Sequence, residues 1–182
     1  MDNGASSYLR FLKGDDNALA EIINEYSDGL IIYLNTITAN YADAQDSAED
    51  TFVKLVTKKP KYNGKATFKT WLYTIGRHVA VDNMRKKYRH HEIIGESTDT
   101  DYINLENEFI RDEDNKLLHK AIKSLSAEYR QVLYLTYFEG MTAGEVSAVI
   151  GKSSKATQSL IFRARQALKK QLERDGFEYE NS

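Results

Sequence analysis

Residues 140–165 read GMTAGEVSAVIGKSSKATQSLIFRAR, and this stretch predicts a helix, a short turn and a second helix. Thr142 and Glu145 have the spacing of a capping box, in which the hydroxyl accepts from the third helical amide and the carboxylate accepts from the cap's own amide. Gly151 can take the left-handed conformation that ends the first helix, and Ser153 is placed to cap the next. We therefore expect a helix-turn-helix here.

The second helix of this unit has two chemically different faces. Its expected inward side chains are Thr157, Ile161, Ala164 and Leu168. The candidates for contact with DNA, from this helix and the turn before it, are Lys152, Ser154, Lys155, Ala156, Ser159, Leu160 and Arg163. Such a helix fits a major groove, where cations and serine bind base edges or phosphates and an outward Leu160 touches a thymine methyl group. The alternative is an ordinary helical hairpin with a basic surface.

The rest of the chain also has helical periodicity. Pro60 is the only proline, and apolar residues recur at spacings of three and four, so we predict an all-α protein. One helix is expected over Asn17 to Thr38, and another begins near Asp43, whose carboxylate can cap it. The inward residues expected in that second helix are Ala44, Ala48, Phe52 and Val56.

A basic loop, residues 58–65, precedes a long helix that Thr67 is expected to cap and that reaches about Tyr88. Its expected buried stripe is Phe68, Trp71, Leu72, Ile75 and Val79. Its opposite face is expected to present Lys69, Tyr73, Arg77, Met84 and Lys87. Trp71 can be read as a base-stacking residue, but its place in the stripe favours the core. Asp82 is expected near the inward face, paired with a neighbouring arginine or lysine.

Between about His90 and Asn115 the sequence turns polar and acidic, which predicts a flexible linker. Helical spacing resumes at Leu117 and returns at Val132, Leu133, Tyr137 and Phe138. We therefore expect two small helical domains joined by a flexible acidic linker, with the helix-turn-helix in the second. The expected boundaries are residues 1–90, a linker at 91–115, a second domain at 116–176 and a tail at 177–182.

Charge is unevenly distributed along the 182 residues, although the net charge is only −2. Residues 58–91 hold ten basic side chains and one acidic one, whereas the flanking segments 1–57 and 92–116 each carry a net charge of −7. A basic block of this density is typical of a phosphate-binding surface. A solvated charged face is the alternative.

The composition argues against several other classes of protein. The chain has no cysteine, which excludes disulfides and thiolate metal sites and fits a cytoplasmic protein. We expect neither a signal peptide nor a membrane span. The histidines lack metal-ligand spacing, and no activated nucleophile or phosphate loop is visible. We assign no cofactor, metal ligand or catalytic residue.

Three segments, in order, resemble the extracytoplasmic-function branch of the sigma-70 family. Residues 43–52, DAQDSAEDTF, are similar to the family's polymerase-docking segment. Residues 68–86, FKTWLYTIGRHVAVDNMRK, are similar to the segment that lies by the minus-ten promoter element, and residues 125–168 resemble the reader of the minus-thirty-five element. The resemblance covers nearly the whole chain and implies a transcription initiation factor that directs core RNA polymerase to promoters.

The resemblance also implies roles for particular residues. The expected polymerase contacts are Asp43, Asp46, Glu49, Asp50 and Phe52. The expected minus-ten contacts are Lys61, Lys65, Lys69, Tyr73, Arg77, His78, Asn83, Arg85, Lys86 and Lys87. The expected minus-thirty-five contacts are the helix-turn-helix candidates given above. A flipped base is expected near the basic loop, and an anti-sigma factor is an expected partner besides core polymerase and duplex or melted promoter DNA.

Three other functions are weighed against this one. A stand-alone helix-turn-helix regulator binds duplex DNA without polymerase, usually as a symmetric dimer, and the docking segment argues against it. A nucleic-acid-processing enzyme needs a carboxylate metal cluster, a phosphate loop or an activated nucleophile. A purely protein-binding adaptor leaves the basic block and the reading helix unexplained.

Overall fold

A computed structural model describes residues 3–94 and 113–176, and within these ranges every regular element is helical, as predicted. The helices are α1 (Asn3–Leu12), α2 (Asp16–Thr38), α3 (Tyr41–Lys58), α4 (Phe68–Ile94), α5 (Glu113–Lys123), α6 (Ala127–Leu133), α7 (Ala143–Ile150) and α8 (Ser154–Arg174). A π-helical turn, Tyr134–Phe138, follows α6. The expected linker falls mostly on residues 95–112 and the expected tail on 177–182, which lie outside the described residues. We call α1–α4 the first module and α5–α8 the second.

Helix α1, which the sequence reading did not anticipate, anchors the basic loop. Ala5, Tyr8 and Phe11 recur every three residues and are buried. The Tyr8 ring packs against Phe68 and Trp71, and its hydroxyl donates to the carbonyl oxygen of Pro60 at 2.8 Å. Burial raises the pKa of Tyr8 to about 12. The hydroxyl therefore stays protonated at neutral pH, and its hydrogen bond to Pro60 fixes the start of the loop.

Helix α3 starts two residues earlier than expected and has a different cap. Asn40 accepts from the Asp43 amide at 3.0 Å, so the prediction that Asp43 caps the helix was wrong. Val56 was wrongly expected to face inward, since it is 40% exposed, whereas Leu55 is fully buried. Three turns of 3.6 residues after the buried Ala44 place the next inward side chain close to position 55, not at 56.

Helix α4 is capped as predicted, because the Thr67 hydroxyl accepts from the Thr70 amide at 3.2 Å, and the helix runs on to Ile94. Phe68 and Leu72 are fully buried. Trp71 packs among aromatic rings, which favours its core interpretation. Asp82 was wrongly placed near the inward face: its side chain is 62% exposed and lies 3.7 Å from Arg85.

In the second module, the π-helical turn shifts the helical register. The Glu139 amide donates to the Tyr134 carbonyl oxygen, five residues back. Leu135 and Met141 consequently turn into the core, whereas Tyr137 and Phe138 are 55% and 49% exposed. The helical spacing noted at Tyr137 and Phe138 therefore does not mark a buried face.

The two modules pack against each other. Helix α2 contacts α6, helix α4 contacts α7, and buried residues of both modules form one continuous cluster. The Tyr33 ring stacks on Tyr73 of its own module at 5.4 Å and on Tyr134 of the second module at 6.4 Å between centroids. Among the described helices, none is long and apolar enough to cross a membrane.

Candidate nucleic-acid interface

The loop between α3 and α4 is a basic surface held in a defined shape. Lys61 and Lys65 are exposed. The Tyr62 hydroxyl donates to the Ala66 carbonyl oxygen at 2.6 Å, and the Lys65 amide donates to Asn63 Oδ1 at 3.0 Å. The Tyr62 ring also packs on Trp71. The loop thus presents its cations on a preformed backbone, which reduces the entropy lost on binding.

An open cavity of about 600 Å³ lies between this loop and α1. Its lining residues are Ala5, Leu9, Tyr62, Asn63, Gly64, Lys65, Ala66 and Thr67. Gly64 has a φ of +70°, a conformation that other residues adopt at a cost. The lining combines apolar surface, an aromatic ring and a cation, which is the combination that suits a stacked base beside a phosphate.

The expected minus-ten residues of α4 do not form one uniformly exposed face. His78, Arg85, Lys86 and Lys87 are exposed, whereas Lys69, Arg77 and Asn83 are partly buried. Tyr73 is 1% exposed, so the expectation that it faces outward was wrong. It is covered from two sides: its ring stacks on Tyr33 of α2 at 5.4 Å between centroids, and Glu139 of the second module lies beside its hydroxyl. Sequence periodicity within α4 carries no information about either contact.

Glu139 of the second module lies at the centre of this contact. Its side chain is 9% exposed and forms an ion pair with Lys69, whose Nζ also donates to the Glu139 carbonyl oxygen at 3.1 Å. The Tyr134 hydroxyl lies 3.0 Å from Glu139 Oε1 and 3.3 Å from the Gly29 carbonyl oxygen. Burial first, and then the Glu139 charge, raises the pKa values of Tyr73 and Tyr134, so both remain neutral donors.

A second polar contact between the modules involves Glu145 at the start of α7. Its carboxylate completes the predicted capping box with Thr142 and also accepts from the Thr67 and Thr70 hydroxyls at 3.2 and 3.3 Å. The Thr142 backbone amide, then the Thr142 hydroxyl, and after it the hydroxyls of Thr67 and Thr70 hold the pKa of Glu145 below its ordinary value. The cap of α4 and the cap of α7 are therefore joined.

The acidic face of α3 meets the distal half of α4. Asp43 Oδ2 lies 2.7 Å from Lys87 Nζ, and Asp50 Oδ2 accepts from Asn83 Nδ2 at 2.9 Å. The structure thus joins expected polymerase contacts to expected minus-ten contacts. Asp46 and Glu49 are exposed, but Phe52 is 8% exposed and belongs to the core. Two exposed valines, Val53 and Val56, lie on the same helix, a feature that sequence periodicity alone did not separate from the buried stripe.

The helix-turn-helix has the local geometry that the sequence predicted. Gly151 ends α7 with a φ of 69°, and the Ser153 hydroxyl accepts from the Ala156 amide at 3.2 Å. Thr157 and Ala164 are fully buried. Lys152 pairs with Glu128 at 3.1 Å. The candidate residues that remain exposed are Lys152, Ser154, Lys155, Ala156, Ser159 and Arg163.

Two apolar residues of α8 differ from expectation. Leu160 is 3% exposed, so its predicted outward placement was wrong: in the folded module it joins the core beside Thr157 and Ala164. Phe162 is 62% exposed and lies three residues after Ser159, on the solvent side of the helix. Sequence reasoning missed Phe162. Ile161 and Ala164 were both expected to face inward, and a residue between them at helical spacing is turned away from that face.

Comparison with protein families and known proteins agrees with this organisation. Residues 22–90 match sigma-70 region 2 and residues 115–168 match sigma-70 region 4. The ECF RNA polymerase sigma factor SigW of Bacillus subtilis is 25% identical, with 88% of this chain and 91% of that protein covered. RNA polymerase sigma factor YlaC of the same organism is 28% identical over 86% and 92% of the two chains.

A similar fold occurs in a solved complex. The sigma factor RpoE of Bartonella quintana, crystallised with the anti-sigma factor NepR, superposes with a TM-score of 0.71 at 22% identity. The match covers 85% of this chain and 96% of the solved one. This likeness concerns the fold.

Proposed function

Since this chain belongs to the sigma-70 family and is an extracytoplasmic-function sigma factor, we propose that each of its modules reads one promoter element while α3 docks on core RNA polymerase. The observation that carries the proposal is the presence, in one chain, of a structured basic loop beside an open cavity of about 600 Å³ and a helix-turn-helix with an exposed basic face. We assign residues 1–90 to the first unit, 91–115 to the linker and 116–176 to the second.

The proposed polymerase-docking surface is the exposed side of α3. Glu49 supplies charge there, and Val53, 56% exposed, supplies apolar area. Asp43, Asp46 and Asp50 complete the acidic part, whereas Phe52 acts indirectly by packing α3 on the core. Interfaces commonly place an apolar centre within a polar rim, which is the pattern here.

The proposed minus-ten surface is the basic loop together with α4. Lys61 and Lys65 neutralise phosphates, and the cavity beside Tyr62 captures a base from the melted strand. The positive residues from Arg85 to Lys87 extend the surface along α4. Stabilising unpaired bases in this way favours strand opening, because it lowers the free energy of the melted state.

The proposed minus-thirty-five surface is the outward face of α8 with the turn before it. Lys155, Ser159 and Arg163 are exposed and lie four residues apart, so they follow one side of the helix. Arginine at such a position donates to guanine acceptors or to phosphates, and serine to either. Phe162 adds an apolar contact of the kind that touches a thymine methyl group.

We also propose the partners and the setting. Promoter DNA and core polymerase are the working partners, and an anti-sigma factor is the proposed inhibitor, since the fold is shared with a sigma factor solved in such a complex. The action is that of a binding factor in the cytoplasm, with no enzymatic step assigned.

Co-elution with purified bacterial core polymerase in size-exclusion chromatography tests this function. Glu49→Lys should abolish stoichiometric co-elution, whereas Glu25→Lys, the same change at an exposed position of α2, should not. Both variants should keep the wild-type circular dichroism spectrum. A wild-type chain that fails to bind polymerase but binds duplex DNA as a dimer would establish the alternative, a stand-alone helix-turn-helix regulator.

A further inference from the structure

We propose that α1 positions the basic loop: the Tyr8 hydroxyl holds the Pro60 carbonyl oxygen and thereby sets where Lys61 meets the phosphates of melted DNA. The proposal rests on the minus-ten function proposed above for the loop. Helix α1 lies before residues 22–90, the range that matches sigma-70 region 2, so that match does not extend to it. Tyr8 contacts the loop and not DNA, which makes it a positioning residue.

Helix α1 holds the start of the loop at two successive residues. The Lys59 ammonium group lies 5.5 Å from the centroid of the Phe11 ring, and the Tyr8 hydroxyl donates to the Pro60 carbonyl oxygen at 2.8 Å. Lys59 has a φ of +43°, a left-handed conformation that is uncommon for a residue other than glycine. The chain therefore turns sharply where α3 ends, and α1 contacts both residues at the turn.

The far end of the loop is held by its own residues. The Tyr62 hydroxyl donates to the Ala66 carbonyl oxygen at 2.6 Å, and the Lys65 amide donates to Asn63 Oδ1 at 3.0 Å. Neither hydrogen bond involves α1. We therefore expect the Lys65 end of the loop to keep its shape when the Tyr8 hydroxyl is removed.

The position of Lys61 depends on the residues on either side of it. Pro60 is held by the Tyr8 hydroxyl, and the Tyr62 ring packs on Trp71 of α4 at 5.2 Å between centroids. Lys61 itself is exposed, so its ammonium group is available to a phosphate. Loss of the Pro60 contact leaves this residue anchored on one side only, and binding DNA must then restrict a more mobile side chain.

Helix α1 can support the loop because it is itself held by α2. Arg10 Nη2 lies 2.6 Å from Glu21 Oε1, and the Ser7 hydroxyl donates to Glu21 Oε2 at 2.8 Å. A Cβ atom placed on Gly4 would lie 2.6 Å from the Tyr26 hydroxyl oxygen, so the backbone of α1 approaches α2 closely. The support therefore moves with the core of the first module and not with the loop.

The Tyr8 side chain allows packing and positioning to be separated. Its ring is fully buried and packs on Phe68 and Trp71 at 5.6 and 5.2 Å between centroids. Its hydroxyl makes the contact with the loop. Tyr8→Phe keeps the ring and removes the donor, so it tests the hydrogen bond to Pro60 with little change in the core.

Fluorescence anisotropy of the full chain with a fluorescein-labelled oligothymidylate of about ten nucleotides measures the effect. Tyr8→Phe should raise the Kd about fivefold, because one hydrogen bond that preorganises the contact is lost. It should also reduce the dependence of log Kd on log salt concentration by up to about 0.7, the value for one phosphate contact on a single strand. A variant that is merely less stable keeps the salt dependence of the wild-type chain.

Tyr33→Phe is the matched control, because it removes another buried phenol oxygen of the first module, one without a hydrogen-bond partner among the described residues. It should change neither the Kd nor its salt dependence. Lys61→Ala should weaken binding, and adding Tyr8→Phe to it should weaken binding no further, since both changes remove the same contact. Lys65→Ala should weaken binding through the part of the loop that Tyr8 does not hold.

Hydrogen exchange measured by mass spectrometry gives a second readout that needs no DNA. In Tyr8→Phe, exchange should become faster across residues 59–62 and stay unchanged in α3, whereas Tyr33→Phe should match the wild-type chain in both segments. Unchanged exchange across residues 59–62 would mean that the Tyr8 hydroxyl does not hold the loop.

The binding results separate this proposal from the function on which it rests. A wild-type Kd in Tyr8→Phe, or additive losses in Tyr8→Phe with Lys61→Ala, would overturn the positioning role. If Lys65→Ala still weakened binding, the proposed minus-ten surface would stand. Wild-type binding by both Lys61→Ala and Lys65→Ala would instead reject that surface, and the positioning role with it.

Discussion

The two DNA-reading helices differ in how much of their working surface the free chain exposes. On α8, Lys155, Ser159 and Arg163 face solvent, and the inward side is closed by Thr157 and Ala164 of the same module. On α4, Tyr73 is covered by Tyr33 of α2 and by the second module, and Lys69 is partly covered. The proposed reading face of α8 is therefore open, whereas part of the proposed face of α4 is buried inside the fold.

The largest expected effect is a loss of stability when Tyr73 is truncated. Tyr73→Ala should lower the free energy of unfolding by about 4 kcal/mol, the range found when a fully buried aromatic side chain is removed. Urea denaturation of the full chain measures it. Tyr88→Ala, on the same helix but 54% exposed, should change stability by less than about 0.5 kcal/mol. Equal effects at the two positions would show that Tyr73 is not buried in solution.

A second pair of substitutions tests which side of α8 is buried. Leu160→Ala should cost about 3 kcal/mol because it leaves a cavity in the second module's core. Phe162→Ala should hardly change stability, since the ring is 62% exposed, but it should weaken binding to minus-thirty-five duplex. The reverse pattern, with a stability loss only at Phe162, would restore the outward placement of Leu160.

Local features of the second module were predictable because each is decided within a few residues. The capping box of Thr142 and Glu145, the left-handed Gly151 and the cap by Ser153 each join groups separated by three or four positions. In the first module the same holds for Thr67, but not for Asp43, since Asn40 was an equally suitable cap just upstream. Short-range hydrogen bonding thus leaves a definite signature in sequence.

Burial at the faces of α4 and α8 was not predictable in the same way. Periodicity identifies a buried stripe, but it does not say whether a second stripe is covered by another module, as happens at Tyr73. Leu160 is next to the predicted inward residue Ile161, and the structure buries Leu160 while Ile161 is only partly buried against the core. The π-helical turn, Tyr134–Phe138, shifts the helical register, so the side chains in and after it do not follow the period of α6. The sequence was therefore enough to predict which segments form the candidate site, but not which of their side chains are exposed.

Removing the cap of α7 should have an intermediate effect. Thr142→Ala loses the acceptor for the Glu145 amide and should lower the free energy of unfolding by about 1 kcal/mol. Thr142→Ser keeps the hydroxyl and should remain close to the wild-type chain. Thermal or urea denaturation distinguishes the two. A Thr142→Ser variant as unstable as Thr142→Ala would attribute the loss to the methyl group instead of the cap.

The smallest expected effect is a pH dependence at the junction of the two modules. The pKa of Glu145 is lowered from its ordinary value of 4.5, first by the Thr142 amide, then by the Thr142 hydroxyl, and further by the hydroxyls of Thr67 and Thr70. A lowered carboxyl pKa stabilises the folded chain fully above the unfolded value and loses that contribution as pH falls through the folded one.

Urea midpoints between about pH 6 and pH 3 should therefore fall less steeply in Glu145→Gln than in the wild-type chain. Glu173→Gln is the control, because its carboxylate is exposed and lies 3.9 Å from Lys169. It should follow the wild-type slope. A Glu145→Gln slope equal to both would mean that the Thr142 amide and the threonine hydroxyls do not favour the charged carboxylate in the folded chain.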